Sequence, residues 1–187
     1  LGVLSNAVKK ISEGEITQLK KSKSLDIDEK TYFKIIQEKT ASLFSSCCVM
    51  GAISSNSIDK NILLMKEFGL LLGQAFQIRD DMFGYLSYDT GKPSLNDFKQ
   101  AKITLPLIYS LSKVNNSKKS EIIKYLKNYK SIDKIIDFVK EEGGIDYSQN
   151  LMNNLTKKAF SILEKFPESD YKRSLKKLLN YTISRNI

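Results

Sequence analysis

Residues 68–85 read FGLLLGQAFQIRDDMFGY, and this run decides the fold. At 3.6 residues per turn, Gly69, Gly73, Gln77, Asp80, Asp81 and Gly84 fall along one stripe of a helix. Leu71, Leu72, Ala75, Ile78 and Met82 cover much of the rest. Two adjacent carboxylates in a mostly apolar helix repel each other and are costly to desolvate, so they must face water or meet a cation. A solvated edge of an amphipathic helix satisfies that requirement, and so does a metal site. The following residues bear on the choice: GKP at 91–93, Asp97, then AKITLPLIY from Ala101 to Tyr109. Carboxylates followed by spaced lysines suggest a place where metal ions and phosphates are held together.

The rest of the chain fits one all-α domain. Its 187 residues are 41% hydrophobic and 27% charged, with only three prolines and no sustained strand-like alternation. The apolar spacing predicts helices over Leu1–Lys21, Asp28–Ser54, the run beginning at Asp59, Asp97–Val114, Ser117–Asn128, Ser131–Glu142, Gly144–Lys165 and Glu168–Ser184. Leu4, Val8, Ile11, Ile16 and Leu19 form the expected apolar stripe of the first helix. Tyr32, Ile35, Ile36, Leu43, Phe44, Cys47 and Met50 are the core candidates of the second. Residues 86–96 are too polar and Gly/Pro-punctuated for regular structure, and Pro106 marks a kink or a helix start. The first helical pattern opens without an initiating Met or a cap, so a segment is expected to precede it.

Charge and rare residues narrow the function. Thirty Lys and Arg against 21 Asp and Glu give a net charge of +9. The lysines are scattered along helices with no basic arm or aromatic–basic interleaving, so no nucleic acid partner is expected; an anionic small substrate uses the same charge. Histidine is absent, which excludes Ser-His and Cys-His nucleophile systems and His-ligated zinc. Cys47 and Cys48 are adjacent and form no CxxC, which fits a reduced, cytoplasmic setting. No apolar run is long enough to span a bilayer.

Taken as a string, FQIRDDMFGY…TGKPSLNDFKQAKITLPLIY resembles the second aspartate-rich motif of the trans-prenyl diphosphate synthases, which usually carry DDxxD, then GK, then GK-x-T-x-P. Gly84 stands where a third aspartate is usual, and Ala101 where a glycine precedes the second lysine. GEITQL at 14–19 resembles the family's GE-x-x-QL, and Lys39-Thr40 the K-T that binds the allylic diphosphate. The C-terminal endings, from GGI onward, are similar as well.

The resemblance implies an all-α bundle of the isoprenoid synthase type, of which residues 1–187 make the C-terminal portion. It implies Mg²⁺ held by two carboxylates, Asp80 and Asp81, rather than three. Asp80, Asp81 and Lys39 take the catalytic roles, and Lys39, Thr40, Phe76, Gln77, Lys92 and Lys102 bind substrate. The implied reaction is head-to-tail transfer of a prenyl group from an allylic diphosphate to isopentenyl diphosphate. The first aspartate-rich motif and the basic isopentenyl diphosphate site of the family are not in this sequence. The 187 residues alone are therefore expected to be inactive and to associate, as a homo-oligomer or with a missing N-terminal half. A non-catalytic partner subunit of a heteromeric synthase is the competing reading, favoured by Gly84.

Overall fold

The structure is a computed structural model and describes residues 2–25, 27–86, 102–128 and 131–184. All the described elements are helical. In chain order they are α1 (Gly2–Ser24), α2 (Glu29–Ile36), a π turn (Gln37–Ala41), α3 (Ser42–Ser54), α4 (Asp59–Leu86), α5 (Leu105–Ser112), α6 (Asn116–Asn128), α7 (Ile132–Glu141), α8 (Gly144–Leu163) and α9 (Asp170–Ser184).

The central element is α4, whose 28 residues pack against α3, α8, α9, α2, α5 and the π turn. Its apolar residues feed two cores. Ala75, Ile78, Met82 and Tyr85 join Tyr32, Ile36, Leu105, Leu107, Ile135, Ile136 and Met152 in the larger one. Phe68 and Leu72 join Ala159, Ile162, Leu163 and Leu179 in the smaller. The glycines of α4 serve close helix contact. A Cβ on Gly69 would lie 2.5 Å from the Ser45 Cα, and one on Gly73 would lie 2.5 Å from the Ala41 Cα. Only bare backbone lets α3 approach this near, which outweighs the roughly 1 kcal/mol that each glycine costs a helix.

Residues 28–54 were expected to form one uninterrupted helix. Asp28 caps it, its Oδ1 accepting the Thr31 N–H at 2.7 Å. The helix is interrupted at Gln37–Ala41, where the Ser42 N–H reaches back to the Gln37 carbonyl and the Ser42 hydroxyl donates to the Glu38 carbonyl at 2.6 Å. The wider turn adds a residue and rotates everything beyond it by about 100°. Leu43, Cys47 and Met50, expected in the core, are therefore exposed. Ala41, Ser42, Ser45, Ser46 and Ala52 are buried instead, being small enough for the glycine face of α4.

Helix α1 departs in the same way. Its buried residues are Ala7 and Gly14, while Leu4, Val8, Ile16 and Leu19 face outward and Ile11 is half-buried. A Cβ on Gly14 would sit 2.8 Å from the Lys39 backbone nitrogen, so the small face of α1 is the one that fits the π turn. Helix α5 is shorter than the expected Asp97–Val114. Residues 102–104 have no regular secondary structure, Thr104 stands at the cap position with extended backbone and Pro106 lies in the first turn, where its missing N–H costs nothing. Positions 97–101 and 87–96 lie outside the described residues. Farther along, Ile122, Leu126, Val139, Ala159 and Leu179 are buried, while Leu178 is exposed.

Candidate active site

One cleft gathers the polar residues of α1, α2, the π turn, α4 and the start of α5. Gln18, Lys21, Ile27, Tyr32, Ile36, Lys39, Thr40, Gln77, Asp80, Asp81, Lys102 and Thr104 are among the residues that line it. Residues 18 to 104 in sequence thus meet because the π turn and the C-terminal half of α4 run side by side.

Asp80 and Asp81, about 100° apart on α4, have different surroundings. Asp80 is exposed. Asp81 is only 7% exposed and accepts hydrogen bonds at both oxygens. The Tyr32 hydroxyl donates to its Oδ2 at 2.6 Å, and the Gln77 side-chain amide donates to its Oδ1 at 2.9 Å. A carboxylate only accepts, so Gln77 must turn its NH₂ toward Asp81 and its carbonyl oxygen away. That oxygen meets the Thr40 hydroxyl at 2.7 Å, which must therefore be the donor. The result is a directed chain: Thr40 to Gln77 to Asp81, with Tyr32 closing on the far oxygen. Burial, and then the Asp81 charge, push the Tyr32 hydroxyl well above its ordinary pKa, so it stays a donor.

The cations come from other elements. The Lys39 ammonium stands 2.6 Å from Gln18 Oε1 and 2.6 Å from Glu15 Oε2, both on α1. Lys102 reaches the cleft on the segment before α5, which is tied to α4 by the hydrogen bond, 2.9 Å long, between the Tyr85 and Thr104 hydroxyls. Lys21, from the last turn of α1, is a third.

Of the residues singled out in the sequence, Lys39, Thr40, Gln77, Asp80, Asp81 and Lys102 are brought together here. Phe76 is not among the cleft residues; its ring packs on Phe44, centroids 5.3 Å apart. Lys92 and Asp97 lie outside the described residues. Gly84 is buried, a position where a carboxylate would meet the cost of desolvation. Sequence reading missed Gln18, Lys21 and the hydroxyl of Tyr32. Tyr32 fits the apolar stripe of α2, so its pattern announces a core residue, and its polar tip shows only in three dimensions.

Chemically, the cleft offers carboxylate oxygens beside ammonium groups. Among the described residues no three His, Cys, Asp or Glu side chains group as a closed metal cage. Two carboxylates on one helix, one of them open to water, fit a magnesium ion that takes its other ligands from water and phosphate oxygens.

A family model described as polyprenyl synthetase matches residues 1–142. The octaprenyl diphosphate synthase of Haemophilus influenzae is 29% identical over 191 residues, covering 100% of this chain and 58% of the relative. The geranylgeranyl diphosphate synthase of Sulfolobus acidocaldarius is 34% identical over 184 residues, covering 94% of this chain and 55% of its own length. The crystal structure of a polyprenyl synthase from Caulobacter crescentus complexed with calcium and isoprenyl diphosphate superposes with a TM-score of 0.87 at 29% identity, covering 99% of this chain and 58% of that one. The chain thus spans a little over half the length of these relatives. With the family model matching most of its residues and the helical architecture matching a solved synthase, this chain belongs to the polyprenyl synthetase family.

Proposed function

We propose that the cleft is the diphosphate-and-metal side of a prenyl transfer site, joining an allylic diphosphate to isopentenyl diphosphate to lengthen a polyprenyl chain. The observation that carries this reading is the joining of Asp80 and Asp81 with Lys39 and Lys102 in one cleft, with Asp81 fixed by Tyr32 and Gln77. Lys39 and Lys102 neutralise negative charge as it gathers on the departing diphosphate, which favours C–O heterolysis without a protein nucleophile. Asp80 and Asp81 would hold Mg²⁺, whose charge adds to that stabilisation. Gln77 turns its carbonyl oxygen toward Thr40, so the Thr40 hydroxyl serves first to orient Gln77; its use as a substrate donor requires that bond to be exchanged. The isopentenyl double bond attacks the allylic carbocation, and the new carbocation gives up a neighbouring C–H proton to the departing diphosphate, which leaves the new double bond.

The resemblance assigns a first aspartate-rich motif and the isopentenyl diphosphate site to sequence that these 187 residues do not contain. The activity is therefore proposed for the longer protein or assembly that supplies them, as a homo-oligomer in the cytoplasm. Among the described residues no helix is long and apolar enough to cross a membrane. The partner-subunit reading is the weaker one, because a chain that binds no diphosphate has no use for a buried, hydrogen-bonded aspartate in one cleft with Lys21, Lys39 and Lys102.

The test is to incubate the purified chain with farnesyl diphosphate, radiolabelled isopentenyl diphosphate and Mg²⁺. No longer prenyl product is expected from the 187 residues alone, and product is expected once the missing segment is restored by fusion or in trans. Restored protein that elongates as well with Asp80→Ala and Asp81→Ala as without would refute the assignment.

A further inference from the structure

The GEITQL segment has no place in the chemistry so far, yet three of its residues converge on Lys39. Gly14 lets α1 press against the π turn, with a notional Cβ 2.8 Å from the Lys39 nitrogen. Gln18 and Glu15 then take two of the three N–H donors of the Lys39 ammonium, each at 2.6 Å. Gln18 lines the cleft with Lys39, whereas Glu15 is not among the lining residues. The lysine is thus held at the cleft wall by a carboxylate reaching it from outside.

We propose that Glu15 sets the affinity of the diphosphate site, acting as the resident counter-ion of Lys39 that an incoming diphosphate must displace. The proposal rests on the reading above, in which Lys39 receives the diphosphate. Exchange is cheap because neither partner is deeply buried. The Glu15 side chain is 46% exposed and that of Lys39 31%, so Glu15 is rehydrated when Lys39 turns to a phosphate oxygen. Exposed pairs contribute little, so Glu15 weakens anion binding without blocking it. A cleft with Lys21, Lys39 and Lys102 plus a metal would otherwise hold the released diphosphate long after bond cleavage. Gln18, neutral, keeps Lys39 at the wall whichever anion it serves.

The test is calorimetric titration of inorganic pyrophosphate, in excess MgCl₂, into the wild-type chain, Glu15→Gln, Lys39→Met and the double variant. Glu15→Gln keeps a side-chain acceptor and removes only the charge. The expected result is pyrophosphate binding tighter by about two- to fivefold in Glu15→Gln, with no change from that substitution in the Lys39→Met background. Unchanged or weaker binding in Glu15→Gln overturns the proposal. So does equal tightening in both backgrounds, which would be long-range repulsion instead of ion-pair exchange. If Lys39→Met itself leaves the affinity unaltered, the placing of Lys39 in the diphosphate site fails, and the proposal with it.

Discussion

Tyr32 and Asp81, 49 positions apart, share a buried hydrogen bond of 2.6 Å that ties α2 to the carboxylate-bearing end of α4. A second route across the cleft runs from Thr40 through Gln77. Tyr32→Phe keeps the ring packed in the larger core and removes only the donor. A hydrogen bond to a buried charge contributes about 1.5–3 kcal/mol, so urea unfolding should show a loss of that order. A loss under about 0.5 kcal/mol, the level of an ordinary surface change, would contradict the assigned role.

The α3–α4 contact gives a paired expectation. Gly69→Ala drives a methyl against the Ser45 backbone and should cost about 1–3 kcal/mol by overpacking. Gly51, within α3, has nothing within 4 Å of where a Cβ would stand. Gly51→Ala should stabilise by about 0.4–1 kcal/mol by restricting the unfolded chain. Thermal unfolding of the two variants should move in opposite directions; a shift of the same sign in both would refute the close-contact account.

At the α8–α9 turn, the almost fully buried Lys172 ammonium spends its three donors on Glu168 at 2.7 Å, Glu164 at 3.0 Å and the Phe166 carbonyl at 2.9 Å. Its hydrogen bond to Glu168 raises the Lys172 pKa above 10.5. Lys172 lowers that of Glu168 below 4.5, and Lys176 followed by Lys172 lowers that of Glu164. The carboxylates' contribution is present above about pH 4.5 and is lost as pH falls through their depressed values; the lysine's is present below its ordinary value and is lost as pH rises through its raised one. The Tm difference between wild type and Lys172→Met should therefore be widest at neutral pH and shrink below about pH 4 and above about pH 11. A difference constant across that range would mean that packing of the lysine stem, not its charge, joins the helices.

The adjacent cysteines should differ in reactivity. Cys47 is exposed, whereas burial, and then its neighbour, push the Cys48 thiol up to about 11. At pH 8 a thiol-disulfide reagent should modify one thiol per chain rapidly, and Cys47→Ser should abolish that fast phase. A fast phase persisting in Cys47→Ser would contradict the burial of Cys48.

The fold and half of the candidate site were legible in the sequence. Gln77, Asp80 and Asp81 stand out as a polar stripe on a mostly apolar helix, whereas Lys39 and Thr40 stand out only through the resemblance to the synthases' K-T. Tyr32, by contrast, satisfies the apolar pattern, and its hydroxyl has a role only once α4 lies beside it. The phase of α3 was misread because a π turn leaves no compositional mark. One inserted residue exchanged Leu43, Cys47 and Met50 for Ser42, Ser45 and Ser46 on the buried face. In α1, fit to the π turn overrode hydrophobicity, and Ala7 and Gly14 went inward in place of Leu4 and Val8. Lys92 and Asp97, prominent in the motif, lie outside the described residues.

The central claim is that Asp80, open to the cleft beside Asp81 and the lysines, recruits a divalent cation together with a diphosphate. Calorimetric titration of pyrophosphate into the chain, with Mg²⁺ and then with EDTA, tests it directly in wild type and Asp80→Asn. Wild-type binding at least about tenfold tighter with Mg²⁺, a gain of about 1.4 kcal/mol, is expected, with loss of that increment in Asp80→Asn. Equal affinity with Mg²⁺ and with EDTA, or an undiminished increment in Asp80→Asn, would contradict it.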